Sequence, residues 1–246
     1  MRQQLLDIDL PPSFAYAEWV RHSGVEAAQN RLALWLVNGG RLWLNSQAPA
    51  GKTHVAHVLA DEYPYLGFIS VHPDAAQTAT RQVAKWIEAL GNAAWWLLDV
   101  PAGPVPRATG IALFHLLERS REAQRPVALL WRNADFSDTP PELVTRLATL
   151  EQVDMHPPYS DIELTAVLQA VALSRQWQID DAVIRLMLTH LPRDLETLLS
   201  AMAQMEKASL SECKRLTARW AGRQIRDIGD DLVANRQSGL FDDKAA

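Results

Sequence analysis

SQAPAGKT, residues 46–53, ends as a phosphate-binding loop ends, in Gly51-Lys52-Thr53. The full pattern, G-x-x-x-x-G-K-[ST], has glycine at its first position, and Ser46 stands there instead. The pattern carries meaning only between a strand and a helix. Upstream, RLWLN (41–45) reads as a short apolar strand; downstream, Val55, Val58 and Leu59 share one face of a helix from Lys52 to about Glu62. In that setting Lys52 would reach the β- and γ-phosphates of a nucleotide, and the Thr53 hydroxyl would hold Mg²⁺. Backbone N–H groups over 49–53 would cradle the phosphates at the helix N-terminus. Two substitutions weaken the loop. Ser46 replaces a glycine whose role is backbone freedom, and Pro49 removes an N–H donor from the cradle. A tight strand-to-helix turn without a ligand is the alternative reading.

Outward from the loop, apolar strands alternate with helices. YLGFISVH (65–72), AAWWLLDV (93–100), PVALLW (126–131) and QVDM (152–155) read as four more strands. Residues 24–37, 75–90, 107–123 and 140–150 read as helices between and before them. The alternation predicts an α/β fold: a five-stranded parallel sheet with helices on both faces. After Pro157-Pro158 the pattern changes. Ser160 and Glu163 have capping-box spacing, and Leu164, Val167, Leu168 and Val171 then follow a helical period. Ile184, Leu186, Met187 and Leu191 mark a second helix, Leu195, Leu198, Leu199 and Met202 a third, and residues 209–225 a fourth. The expected organisation is an α/β domain over 1–156, a small all-helical domain over 157–226, and a flexible acidic tail over 227–246.

Composition excludes several classes. The 246 residues carry a net charge of −5 and are 48% hydrophobic, an ordinary globular balance. A stand-alone DNA-binding module is usually basic. The local run with Lys214, Arg215, Arg219, Arg223 and Arg226 reads as a solvated helix face, which argues against direct DNA contact. No apolar run has the length of a membrane helix, and the N-terminal MRQQLLDIDLPP lacks the features of a signal peptide. The single cysteine, Cys213, cannot form an internal disulfide and reads as a small buried hydrophobe in a helix. A reducing cytoplasm fits.

The strand AAWWLLDV occupies the place of a Walker B strand, which usually ends in two acids. Asp99 supplies the one that holds Mg²⁺; Val100 stands where the other would polarise the attacking water. A valine cannot activate water, so hydrolysis should be very slow even where binding survives.

This layout resembles the DnaA/Hda family of AAA+ proteins, in which a five-stranded P-loop domain precedes a small helical lid. LLDIDLPPSFAYAEWV (5–20), with Phe14 and Trp19 at its aromatic positions, is similar to the family's opening. Thr145-Arg146-Leu147 resembles the segment that carries the arginine finger, HPPYSDIEL (156–164) the hinge, and LPRDLETLLSAMAQMEKASL (191–210) the sensor-2 helix. The chain resembles the short Hda-type members, without the initiator's DNA-binding domain. The resemblance implies ADP or ATP with Mg²⁺ as cofactor, held by Ala50, Gly51, Lys52, Thr53, His54 and Arg193, with Thr53 and Asp99 at the metal. It implies Asn133 as the sensor-1 residue and Arg146 as a finger acting in trans on a neighbour's γ-phosphate. The implied partner is the initiator DnaA, with self-association allowed.

Hda-type proteins are also tied to the DNA-polymerase sliding clamp by a short peptide. Two stretches are candidates: QQLLDI (3–8), through Gln3, Leu6 and Ile8, and QSGLF (237–241), through Gln237, Leu240 and Phe241. Either would place a glutamine amide and two apolar side chains in a pocket. Three functional classes remain at this point: a regulatory protein that binds DnaA and hydrolyses little ATP, an active ATPase of the helicase-loader type, and an adaptor without nucleotide.

Overall fold

A computed structural model describes residues 19–133, 135–212 and 217–242, with side chains described as far as residue 230. The chain divides into two compact units, one ending at Pro158 and the other beginning at Tyr159.

The first unit is built on a five-stranded parallel sheet. Its strands are β1 (Arg41–Asn45), β2 (Leu66–Ser70), β3 (Trp95–Val100), β4 (Val127–Trp131) and β5 (Glu151–Asp154), in the order β2-β3-β4-β1-β5. All four pairings are parallel, with Trp43 opposite Leu129 and Leu98 opposite Leu129 in the two central ladders. Parallel strands need crossovers, and helices supply them on both faces.

The two-residue period of each strand sorts its side chains onto those faces. On one side Leu42, Leu44, Leu97, Ala128 and Leu130 meet Ala28, Leu32 and Trp35 of α1 (Glu26–Asn38) and Val55, Ala56 and Leu59 of α2 (Lys52–Glu62). On the other side Trp43, Trp96, Leu98, Leu129 and Trp131 meet three further helices. These are α3 (Ala79–Leu90), α4 (Arg107–Glu122) and α5 (Pro141–Leu147). Both layers are sealed: Leu97, Leu98, Leu113, Leu116 and Leu130 have no exposed surface.

The tryptophans mostly belong to this interior. Trp35, Trp43, Trp86, Trp96 and Trp131 are buried, so the surface role that a Trp-rich chain suggests is not theirs. Three buried indoles keep a hydrogen-bond partner: Trp43 Nε1 donates to the Trp131 carbonyl at 3.1 Å, Trp131 Nε1 to Gly103 O at 3.1 Å, and Trp35 Nε1 to Gly40 O at 3.2 Å. An indole N–H buried without a partner would cost free energy, so these bonds fix where each ring can sit.

The second unit contains α6 (Asp161–Ser174), α7 (Asp181–His190), α8 (Leu195–Glu212) and α9 (Ala218–Asp242). The capping box at its start is present: Glu163 N donates to Ser160 Oγ at 3.2 Å, and Ser160 N to Glu163 Oε2 at 3.2 Å. Its core gathers Leu164 and Leu168, Ile184 and Met187, Leu198, Met202 and Met205, and Trp220 and Ile225.

The structure departs from the sequence reading at two boundaries in this unit. Residues 209–212 close α8 and do not open the fourth helix, because buried Met205 carries the period of Leu198 and Met202 one turn further. Residues 227–242, expected as a flexible tail, continue the backbone of α9. Trp220, Ala221, Ile225 and Ile228 lie on one buried stripe whose period runs past Arg226. Cys213, Lys214 and Arg215 lie outside the described residues.

Leu129 lies at the middle of the central strand with 1% of its surface exposed. Leu129→Ala should destabilise the α/β unit by about 2–5 kcal/mol. Urea unfolding followed by tryptophan fluorescence measures this, and a loss under about 1 kcal/mol would contradict the packing described.

Candidate functional site

The loop joining β1 to α2 rises from the carboxyl end of β1, where open parallel sheets place their ligands. The chain turns into α2 at Gly51, whose φ of 78° and ψ of 23° lie in the left-handed region. That conformation favours glycine. A Cβ added there would also meet the Trp19 ring at 2.8 Å, so glycine is required twice over. Trp19 continues onto α2, edge to face with His54 at a centroid separation of 5.4 Å. Ala50, 3% exposed, packs into the apolar layer beneath the loop.

Lys52, Thr53 and Asp99 converge. Thr53 Oγ1 donates to Asp99 Oδ1 at 3.2 Å, and Lys52 Nζ is hydrogen-bonded to Ser46 Oγ. All but Thr53 are deeply buried: Ser46 is 2% exposed, Asp99 5% and Lys52 8%. Burial pushes the Asp99 carboxyl up to about 6, against the Thr53 hydrogen bond and the Lys52 charge, which favour the ionised form. Burial first, and then the nearby Arg132 guanidinium, lower Lys52 to about 8, with Asp99 opposing both. Lys52, at the start of α2, and Arg132, just past β4, thus bring two positive charges near one another.

Asn133, just past β4, is 2% exposed. Its Oδ1 accepts from Asp135 N at 3.3 Å, while its Nδ2 has no hydrogen-bond partner among the described residues. A buried amide N–H₂ without a partner is costly unless something else accepts from it. This orphaned donor, the juxtaposed Thr53 and Asp99 oxygens, and the Lys52 ammonium at a helix N-terminus fit a nucleotide phosphate with Mg²⁺.

Val100 has 2% of its surface exposed and sits in the apolar cluster with Val71, Val105 and Trp131. The position next to Asp99 is therefore part of the core. An acid placed there would be buried among hydrocarbons, so Val100→Asp or Val100→Glu would not simply restore a water-polarising group.

The two implied arginines sit apart in the chain and in their surroundings. Arg146, near the end of α5, is paired with Glu118 of α4, Nε to Oε1 at 2.5 Å. Glu118 also accepts from Arg121 Nη2 at 3.0 Å on its other oxygen, and Arg41 lies close enough to lower the carboxyl's pKa further. Sequence reasoning missed this carboxylate; the Glu118/Arg121 spacing was its only visible signal. Arg193 precedes α8 and is not within it; it lies in the second unit, where its Nη1 is 3.3 Å from Asp161 Oδ1. Gln3, Leu6 and Ile8, and the side chains of Gln237, Leu240 and Phe241, lie outside the described residues. Among the described residues no cluster of acids, histidines and cysteines has the make-up of a metal site, and no helix is long and apolar enough to cross a membrane.

The fold is shared with several solved structures. Domain III of the Thermotoga maritima replication initiation protein DnaA shares the fold, with a TM-score of 0.63 at 14% identity over 89% of this chain and 99% of that one. So does AMPPCP-bound DnaA of Aquifex aeolicus, with 0.56 at 13% over 80% and 66%. The RuvB Holliday junction branch migration motor of Thermotoga maritima gives 0.56 at 15% over 87% and 72%. Residues 161–219 match the family model of the Hda lid domain. The chain is thus similar in fold to domain III of DnaA and, over 161–219, in sequence to the Hda lid domain. Over 112 residues, 44% of the chain, it is 30% identical to an uncharacterised protein of Haemophilus influenzae. The match spans 47%, about half, of that relative's length.

The Asp99 environment makes stability depend on pH. The fold holds the Asp99 proton more tightly than the unfolded chain does, so stability falls as pH rises from about 4 to about 6. Lys52 acts oppositely: its deprotonation is easier in the fold, so its penalty fades above about 8. Asp99→Asn removes the acid-side slope. Its stability relative to wild type should improve by on the order of 3 kcal/mol between pH 4 and 7. Urea titrations across that range give the difference directly; a difference independent of pH would mean that Asp99 is not held in a desolvated setting.

Proposed function

We propose that the chain is an Hda-type regulator of chromosomal replication initiation, acting through DnaA in the cytoplasm, binding ADP or ATP with Mg²⁺ weakly and hydrolysing little of it. The observation that carries this reading is the Hda lid match over 161–219, in the unit that follows the phosphate-loop unit. The buried Val100 supports the low-turnover part, since the chain has no acid beside Asp99 to polarise water. Lys52 and Thr53 would make the main phosphate contacts, with Gly51, Ala50 and His54 shaping the loop, Asn133 donating from just past β4, and Asp99 at the metal. Magnesium would supply charge neutralisation between the phosphates. Arg193, the sensor-2 residue that the resemblance implies, belongs to the helical unit.

In this reading Arg146 acts on a partner's nucleotide and not on its own. A guanidinium placed at a developing phosphate charge needs no hydrolytic machinery in the subunit that supplies it. Arg146 must first leave Glu118, and that carboxylate keeps Arg121 as a partner when it does. The sliding clamp is the second proposed partner, through Gln3, Leu6 and Ile8 or through Gln237, Leu240 and Phe241.

Titration calorimetry with ADP and ATP tests the site. Wild type should bind weakly and Lys52→Ala should lose binding; equal heats from both would remove nucleotide from the proposal. Turnover on the order of 1 per second or faster would instead make the chain an active ATPase of the helicase-loader type. For the trans role, the full chain is mixed with DnaA carrying labelled ATP. Arg146→Ala should cut any stimulated hydrolysis at least about tenfold, within the range a finger contributes. A variant as active as wild type would remove Arg146 from that role. Immobilised clamp, probed with the full chain, a truncation after Arg236 and Gln3→Ala, separates the two terminal peptides. No binding by any form would leave DnaA as the sole proposed partner.

A further inference from the structure

Ser46 makes a contact that the glycine of the loop pattern could not make. It follows β1 directly, is buried, and hydrogen-bonds through Oγ to Nζ of Lys52, which is also buried. The lysine on which the phosphate reading depends is therefore held by a side chain of its own loop. A hydroxyl is a versatile holder: it accepts from the ammonium and donates to the neutral amine. We infer that Ser46 sets the nucleotide affinity of the loop, its hydroxyl competing with phosphate oxygens for the Lys52 amine. This inference rests on the nucleotide reading of the site.

The physical consequence is an exchange. With glycine at position 46, a phosphate entering the loop gains a lysine contact; with serine, it gains that contact and breaks another. The difference in net binding is about the worth of one hydrogen bond. Removing the hydroxyl should therefore tighten binding roughly five- to tenfold. The effect belongs to the hydroxyl and not to the backbone. Ser46→Ala keeps the Cβ and its restriction on backbone angles, whereas Ser46→Gly removes both.

The experiment uses the full chain with fluorescent ADP, and compares wild type, Ser46→Ala, Ser46→Gly and Lys52→Ala, with a melting curve of each protein alone. Ser46→Ala and Ser46→Gly should both bind more tightly than wild type. Without nucleotide Ser46→Ala should melt at a lower temperature, because Lys52 has lost its partner. Tightening by Ser46→Gly alone would assign the effect to backbone freedom and overturn the inference. Weaker binding by Ser46→Ala would overturn it too, since the hydroxyl would then be contacting the ligand. If Lys52→Ala binds as wild type does, the nucleotide reading itself fails, and the Ser46 inference falls with it. If Lys52→Ala loses binding while Ser46→Ala changes nothing, only the inference fails.

Discussion

The α/β unit depends on β4, the central strand of its sheet. All five of its residues are buried, with β3 on one side, β1 on the other, and helices over both faces. A strand in that position must be apolar along its whole length, because a charge on either face would be left without solvent. The same constraint extends to the middles of β1 and β3. Polar chemistry is driven to the strand ends, and the carboxyl ends are where Ser46, Asp99, Arg132 and Asn133 stand. The site is where it is because the sheet leaves it nowhere else.

That placement carries an electrostatic cost. Lys52 and Asp99 are both largely out of water, and each is pushed toward its neutral form by burial. Their mutual attraction and the Thr53 hydrogen bond oppose this without cancelling it. Such groups are held by the surrounding structure and contribute little to its stability. Charges that bring no stability to a fold, gathered where a glycine turn opens a helix, are a reason to look for a ligand there. Val100 marks the limit of that argument. The neighbour of Asp99 has been absorbed by the hydrophobic layer, so no second acid stands beside it.

Much of the fold was legible because the sequence is locally consistent. The five strands are short apolar runs, and Gly39, the Gly51 turn and the Ser160 capping box punctuate the helices where the pattern says. The misplaced boundaries have a common cause. Ser209 and Ser211 interrupt the apolar pattern without breaking the helix, and the acidic composition after Arg226 hides a helical period that continues. The site was legible in its motif residues, which are contiguous or lie at strand ends. What could not be read was partnership: that Lys52 is held by Ser46, that Asn133 leaves a donor unpaired, and that Arg146 is bound by a glutamate twenty-eight positions earlier. Those contacts arise between elements, and no spacing along the chain encodes them.

The bidentate pair between Arg31 and Glu151, at 2.6 and 2.5 Å, has a bearing on how the sheet ends. It sits on β5, an edge strand, where Glu151, Gln152 and Asp154 are exposed and Gln152 is tied back to Asp154 at 2.8 Å. An incoming strand would have to lay its backbone against two carboxylates, one already committed to a guanidinium. Charge of this kind blunts an edge against pairing with other chains. The opposite edge, β2, reads LGFIS and carries no ionisable side chain of its own. The two edges therefore differ: charge discourages strand-to-strand growth on the β5 side, while β2 itself brings no charge to its edge.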